Sequence, residues 1–284
     1  MAQIREIKKR IKSVESTQRV THAMELVEAA KMRKSQVLAL SGRPYTFTLH
    51  EILKTVQGPS KSSVHRLLEK NTSIQELLIV VTSDRGLAGG LNLNVFREIL
   101  RSELKNTKFI TIGKKARDFA AKTNQDLIAS YGSEEIPFLT LARILTKMVT
   151  KAYANNEYSK ISIIYPHFDS TIKQNPRWVQ LLPIEDETNQ PSIINHQPST
   201  NLLFEPSADS ILSSILIHHV LTQIYQVLVE SKASEHSARM VAMKNATDAA
   251  EDLVKDLTLT YNQARQEAIT KELLDMITAQ RAFE

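Results

Sequence analysis

Ala233-Ser234-Glu235-His236-Ser237-Ala238-Arg239-Met240-Val241-Ala242-Met243-Lys244-Asn245-Ala246-Thr247-Asp248-Ala249-Ala250 is the stretch that decides the fold of this chain. It is rich in helix-forming residues, and alanines recur at positions that share a helix face. It lies inside a longer run, Ser207 to Glu284, whose 78 residues include neither glycine nor proline. Average usage would place about nine of them there. The first 41 residues are equally free of both. All seven glycines fall between Gly42 and Gly132, and all nine prolines between Pro44 and Pro206. Glycine interrupts a helix through backbone entropy, proline through a missing N–H and a steric clash. The pattern predicts a long helix at each end with a loop-bearing domain between them. At 1.5 Å per residue the C-terminal helix would be on the order of 100 Å long.

Each terminal helix carries a narrow apolar seam. Ile4, Ile7, Ile11 and Val14 step by three and four residues, the spacing of a coiled coil. The reading then continues through Gln18 and Thr21, resumes with Met24 and Val27, and shrinks at Ala29 and Ala30. Gly42, Arg43 and Pro44 predict a kink or break, with helix resuming to about Gln57. In the C-terminal helix, Ile211, Ile215, Ile224, Val227 and Leu228 give way to the alanines, then to Leu253, Leu257, Thr260 and Ala264. Small residues let helix axes approach closely. The expected pairing is an intramolecular antiparallel coiled coil, with the last residues reaching beyond the first helix. That end is apolar over much of its circumference through Ala268, Ile269, Leu273, Leu274, Met276, Ile277 and Phe283. A freely solvated tip is not built that way, so it is expected to sit inside something.

Between Asn71 and Phe204 the periodicity changes. Leu77 to Val81 reads as a buried strand, with further strands at Lys108 to Ile112, around Leu127-Ile128 and at Ile161 to Tyr165, alternating with helices over Leu93–Leu104, Lys114–Lys122 and Leu139–Ala154. Trp178 to Leu182 reads as an antiparallel edge strand, and Pro183 to Pro206 as a proline-bearing loop. The class is α/β: a Rossmann-like insert with a largely parallel sheet. The domain boundaries are 1–57 for the first shaft helix, 71–206 for the insert and 207–284 for the second shaft helix.

Composition narrows the chemistry. A hydrophobic share of 42% against 24% charged is enough to bury a core. No segment approaches the roughly 18 uncharged apolar residues of a membrane span; the nearest, Ile211 to Leu221, is broken by Ser213, Ser214, His218 and His219. The absence of cysteine excludes disulfides, thiolate zinc sites and a cysteine nucleophile. Residues 1–36 carry nine Lys/Arg against four Glu, which equals the whole net charge of +5. A basic helical end suits an acidic protein surface. Interleaved glutamates and the lack of aromatics argue against nucleic acid. Ser83 to Asn92 stands where a nucleotide-binding protein would place its phosphate loop. It is neither GxGxxG nor a P-loop, and reads as a tight structural turn in which Asp84 and Arg85 pair or cap the next helix. His218-His219 lacks a third ligand at metal spacing. No catalytic constellation, metal site or cofactor site is read from the chain.

The segments Ser16 to Val27, Ala29 to Gln36, Ser83 to Asn92, Ala233 to Met240 with Ala242-Met243 and Asn245-Ala246-Thr247, and Tyr261 to Leu273 resemble the γ subunit of F-type ATP synthases. They lie at both ends and in the middle, so the resemblance covers essentially the whole chain. It implies a non-catalytic rotor shaft, one copy per complex, whose paired helices stand inside a ring of α and β subunits. Its α/β domain would sit near the ε subunit and the c ring. By that resemblance Arg265, Gln266, Thr270 and Glu272 would meet β-subunit loops. Met24 and the basic first helix would meet an acidic segment of the β subunit. Gln223 and Tyr225, in the foot, would contact the c ring and ε. Relatives often carry a carboxylate in that foot, where this chain has Leu221. The paired cysteines of redox-regulated chloroplast relatives are also missing. The resemblance further implies rotation that couples proton or sodium flow to ATP synthesis or hydrolysis. It places the chain, as a peripheral protein, at the cytoplasmic face of a bacterial plasma membrane. Two other readings are a coiled-coil scaffold that forms a homodimer, and an enzyme that binds a ligand at Gly86 to Gly90.

Overall fold

The computed structural model describes residues 2–57, 65–102, 104, 106–184, 205 and 207–282. Most of the proline-bearing loop, and Phe283 at the apolar end, lie outside the described residues. The elements in chain order are α1 (Ala2–Gln57), β1 (Glu76–Val81), α2 (Leu91–Arg101), β2 (Thr107–Ile112), α3 (Lys114–Lys122), β3 (Asp126–Tyr131), α4 (Phe138–Ala154), β4 (Lys160–Phe168), β5 (Gln174–Leu182) and α5 (Ala208–Ala282). The chain divides into two compact units: residues 1–29 with 239–284, and residues 30–238. Both long helices run through the boundary without interruption.

In the larger unit the sheet order is β3-β2-β1-β4-β5. The first four strands are parallel, and β5 runs antiparallel to β4 at one edge. Strand side chains alternate between faces, and the two sets build two cores. Leu77, Ile79 and Val81 of β1 face Leu141, Leu145 and Val149 of α4, together with Leu53 and Val56 of α1 and Leu216, Val220 and Ile224 of α5. Leu78 and Val80 face the other way, onto Val95 and Ile99 of α2 and Ala116 of α3. The roots of both shaft helices are therefore part of the sheet's core.

This packing also accounts for the apolar content of α5. The helix holds an 18-residue window of mean hydropathy 1.4 with at most two charged residues, so by length and composition alone it could cross a membrane, which the sequence reading did not anticipate. Leu212, Leu216, Val220, Ile224, Val227, Leu228 and Val229 on it are instead buried in this unit, while Ile217 is exposed.

The expected break at Gly42-Arg43-Pro44 does not occur. Helix α1 continues through Pro44. Carbonyls around the proline accept side-chain donors: Leu38 O from Ser41 (3.0 Å), Ala39 O from Gln226 Nε2 (2.9 Å) and Gly42 O from Thr46 (3.2 Å). The carbonyl that loses its helical donor to the proline ring is that of Leu40, and the helix absorbs that single loss. Gly42 is a point of close approach: a Cβ there would stand 2.5 Å from Gln226 Oε1.

Seam register is a second correction. Half-buried and buried positions on α1 from 18 to 39 are 18, 21, 24, 25, 28, 29, 32, 35, 36 and 39, so Met24 keeps its seam place beside Glu25, while Glu28 takes the position expected of Val27. Val27 is 52% exposed and Glu28 only 8%. On α5 the inward positions after Ala250 are Val254, Leu257, Tyr261, Ala264 and Ala268, while Leu253 and Thr260 face out. In the smaller unit the two helices run antiparallel, because Thr21 bonds Thr247 (2.8 Å) while Glu28 pairs with Arg239 (3.3 Å).

The loop from Ser83 to Asn92 is held by its own side chains. Asn92 Oδ1 accepts from Ser83 N (3.1 Å), and Asn92 Nδ2 donates to Ser83 Oγ (2.7 Å). Asp84 caps α3, not the next helix α2: Oδ1 accepts from Lys114 N (2.9 Å), and Oδ2 accepts from Ser133 Oγ (3.0 Å) and Glu134 N (3.1 Å). Arg85 pairs with Glu134 at 3.5 Å. Gly113, just before α3, has φ +98°, and a Cβ on it would collide with the Thr82 carbonyl. Gly113→Ala is expected to destabilise the larger unit by about 2 kcal/mol through backbone strain and that contact. Thermal unfolding checks this; a variant melting like the parent would show that the turn relaxes without cost.

Candidate partner-binding surfaces

Among the described residues, three exposed surfaces bear on partner binding. The first is the end of α5. Burial against α1 stops at Ala268, and every residue from Ile269 to Thr278 is exposed. Met276 is 61% exposed, and Ile269, Leu273, Leu274 and Ile277 are also open. Arg265, Gln266, Thr270 and Glu272 lie on this segment and are exposed. At about 100° per residue, Arg265 and Glu272 share one face and Gln266 and Thr270 a neighbouring one. Thr270 Oγ1 donates to Gln266 O at 2.9 Å, which ties that pair together. Gln263, Gln266, Glu267, Thr270, Lys271 and Leu274 line a shallow depression. A solvated helix with this much apolar surface gains free energy by being covered, at roughly 25 cal/mol per Å².

The second surface is the basic part of α1. Arg5, Lys8, Lys9, Arg10, Lys12 and Arg19 are exposed, and Arg10 pairs with Glu6 at 2.9 Å. Exposed pairs of this kind contribute little to folding, so the charge remains available to a partner. Met24 is half-buried.

The third surface is in the larger unit, where α1 and α5 lie side by side at their roots. Tyr45, 56% exposed, bonds His218 Nε2 through its hydroxyl at 2.6 Å. His50 stacks on His219 with ring centroids 5.8 Å apart. Burial, followed by the charges of His50 and His218, lowers the His219 pKa to about 4, so this histidine is neutral at ordinary pH. Phe47, Ile52 and Ile217 are open to solvent. Tyr225 packs partly against the core, and Gln223 is half-buried with its Oε1 shut from solvent. The reading from sequence missed Tyr45, Phe47 and Ile217. The signal available was aromatic and branched residues outside the seam positions of their helices.

None of these surfaces forms an enclosed site for a small molecule. At the turn where a phosphate would sit, Asp84 already occupies the N-terminus of α3.

The comparisons with known proteins bear on the chain as a whole. A family model described as ATP synthase matches residues 3–283. The ATP synthase gamma chain of Methylacidiphilum infernorum is 38% identical over 292 residues, covering all of both chains. This chain belongs to the ATP synthase gamma-chain family. The gamma chain of Pelotomaculum thermopropionicum is 39% identical over 289 residues, again covering all of both chains. Among solved structures, a chain of the mitochondrial ATP synthase of Euglena gracilis, in its OSCP/F1/c-ring assembly, superposes with a TM-score of 0.73 at 19% identity. That match spans 99% of this chain and 95% of the other, and shows that the two share a fold. The function is that of an ATP synthase gamma subunit; the homodimeric scaffold finds no support in these matches.

Proposed function

We propose that the coiled coil of α1 and α5 stands inside a ring of catalytic α and β subunits and turns there as the central shaft. Its foot would rest on the c ring and the ε subunit. In functional terms the chain divides at the boundaries expected from sequence: shaft helices over 1–57 and 207–284 and an insert over 71–206. The observation that carries this reading is the bare end of α5, apolar and exposed over consecutive turns, in a chain matched along its whole length by gamma chains. Arg265, Gln266, Thr270 and Glu272 would make directional contacts to β-subunit loops, and the apolar side chains around them would provide a bearing surface. Met24 and the cations of α1 would face an acidic segment of the β subunit. Gln223 and Tyr225, with the more open Tyr45, Phe47 and Ile217, would grip the c ring and ε. The chain would work at the cytoplasmic face of a bacterial plasma membrane, held there by its partners.

The mechanism follows from asymmetry. A shaft with different side chains on each face contacts each surrounding catalytic site differently. It thereby favours a different conformation at each, by the difference in contact free energy between open and closed states. Rotation permutes those preferences, and cation flow through the membrane sector would drive it. Bond making and breaking on ATP stay in the partner subunits.

The test is reconstitution with the α and β subunits of the same organism. A complex holding one copy of this chain is expected, with ATP turnover that depends on it. Arg265→Ala with Gln266→Ala is expected to lower turnover by about tenfold, equivalent to roughly 1.4 kcal/mol of lost differential contact. Failure to join the ring, or turnover untouched by the double substitution, would overturn the assignment of the tip.

A further inference from the structure

Between Gln226 and Ser237, α5 exchanges directional polar contacts with the sheet domain on opposite sides of its axis. On one side is Glu230, whose side chain is 5% exposed. Its Oε1 accepts from Arg43 Nε of α1 (3.1 Å) and from Gln226 Nε2 (2.9 Å). Its Oε2 lies 2.7 Å from His167 Nδ1 of β4 and accepts from the Tyr165 hydroxyl (3.3 Å). Arg43 also donates to Phe168 O of β4 at 3.3 Å. Two turns further on, Ser237 Oγ donates to Thr171 O, in the turn between β4 and β5, at 2.6 Å.

Lys232 projects about 200° around the helix from Glu230. Its side chain is 12% exposed and reaches Glu134, between β3 and α4, at 3.1 Å, while also bonding Glu235 at 3.0 Å. Glu134 is in turn held by Arg85. The hydrogen bond from Lys232 and its charge lower the Glu134 pKa. The sheet domain thus holds α5 from two opposed directions within a few turns.

Apolar burial resists separation of two elements, but it is non-directional and tolerates sliding and rolling. Hydrogen bonds and ion pairs weaken steeply as angle and distance change. Contacts on opposite sides of a helix therefore act as a mechanical couple: turning α5 about its own axis must distort both sets at once. We propose that this collar, with Glu230 and Lys232 as its positioning residues, is the spline that keys the sheet domain to the shaft and carries torque between them. The inference rests on the shaft reading above. It assigns these residues a role in neither catalysis nor subunit contact.

The test uses the assembled synthase in membrane vesicles. It compares ATP hydrolysed with cation taken up, the latter followed by quenching of a fluorescent amine for protons and by radiosodium for sodium. For Glu230→Gln, uptake per ATP is expected to fall by about threefold, because a carboxylate paired with the Arg43 guanidinium and bonded to His167 is lost while the apolar core stays. Lys232→Gln is expected to lower it in the same direction, and Lys232→Arg to restore it. Should Glu230→Gln fail to assemble, the two Lys232 variants carry the test. Assembled variants with the parent's uptake per ATP would overturn the spline. So would hydrolysis and uptake falling in proportion together with the melting temperature, which would make the collar merely structural. A parent chain that neither assembles nor supports uptake would instead overturn the shaft reading, and the inference with it.

Discussion

Replacing Arg239 with Leu is expected to destabilise the two-helix unit by about 3–5 kcal/mol, a large effect for one residue on so thin a structure. Arg239 Nη1 stands 3.3 Å from Glu28 Oε2, and the two side chains are 5% and 10% exposed. Without the guanidinium, Glu28 loses a charge-assisted contact at a seam position enclosed by helix. Removing one member of a buried pair costs more than the pair's net contribution to stability. Glu28→Leu alone is expected to cost less than Arg239→Leu. The double substitution, which returns two apolar residues to the seam, is expected to be more stable than Arg239→Leu. Hydrogen exchange of amides in the segment from Met243 to Ala250 reports the local stability, since Met243 and Ala250 are buried in the same unit. Additive single effects in that cycle would mean that the pair is not coupled. A buried pair also fixes register: sliding either helix by one turn would separate two charges that the seam brings together. An alanine-rich seam cannot supply that discrimination, since small residues pack similarly in several registers.

That pair marks where legibility in the sequence ended. The two terminal helices were legible because glycine and proline are confined to the middle of the chain. The strands were legible because runs such as Leu77 to Val81 are apolar on both faces, as a sheet covered by helices on each side requires. Seam register was not. Reading hydrophobicity as burial selected Val27 and Leu253, both of which are exposed, over Glu28 and Val254. A charged residue can take an inward position when an opposite charge meets it, and the partner lies more than 200 residues away along the chain. Pro44 misled for a different reason: a proline removes one bond from a helix without having to end it, and α1 runs on to Gln57. The capping role of Asp84 was half legible: its residue type signals a cap, but only the sheet brings α3, not α2, to it. At the open tip, Arg265, Gln266, Thr270 and Glu272 were found by resemblance. The apolar residues around them were legible as well, because apolarity over much of the circumference does not suit a solvated tip. The collar left one local sign, a glutamate following the apolar run Val227-Leu228-Val229. Arg43 and His167 could not be matched to it without the fold.

Acid is expected to dissolve the collar before it unfolds the rest of the sheet domain. Burial alone would raise the Glu230 pKa. Hydrogen bonds from His167 and Gln226, and the charges of His167 and Arg43, outweigh burial and hold it at about 2, against an ordinary value of 4.5. A folded-state pKa depressed in this way contributes stability that is fully present above about pH 4.5 and is lost as pH falls through about 2. For one nearly enclosed carboxylate the contribution is on the order of 3 kcal/mol at neutral pH. The neighbouring Glu134, depressed by Lys232 but more open to water, adds a smaller share with the same sign. Denaturant unfolding of the intact chain at a series of pH values should therefore show a steep loss of stability on the acid side. In Glu230→Gln that loss should be shallower, starting from a lower plateau at neutral pH. A variant with the parent's acid slope would place the titrating carboxylates elsewhere. The same charges that make the collar stiff also make it acid-labile, because a protonated Glu230 can no longer accept from Arg43 and Gln226 on one oxygen while holding His167 and Tyr165 with the other.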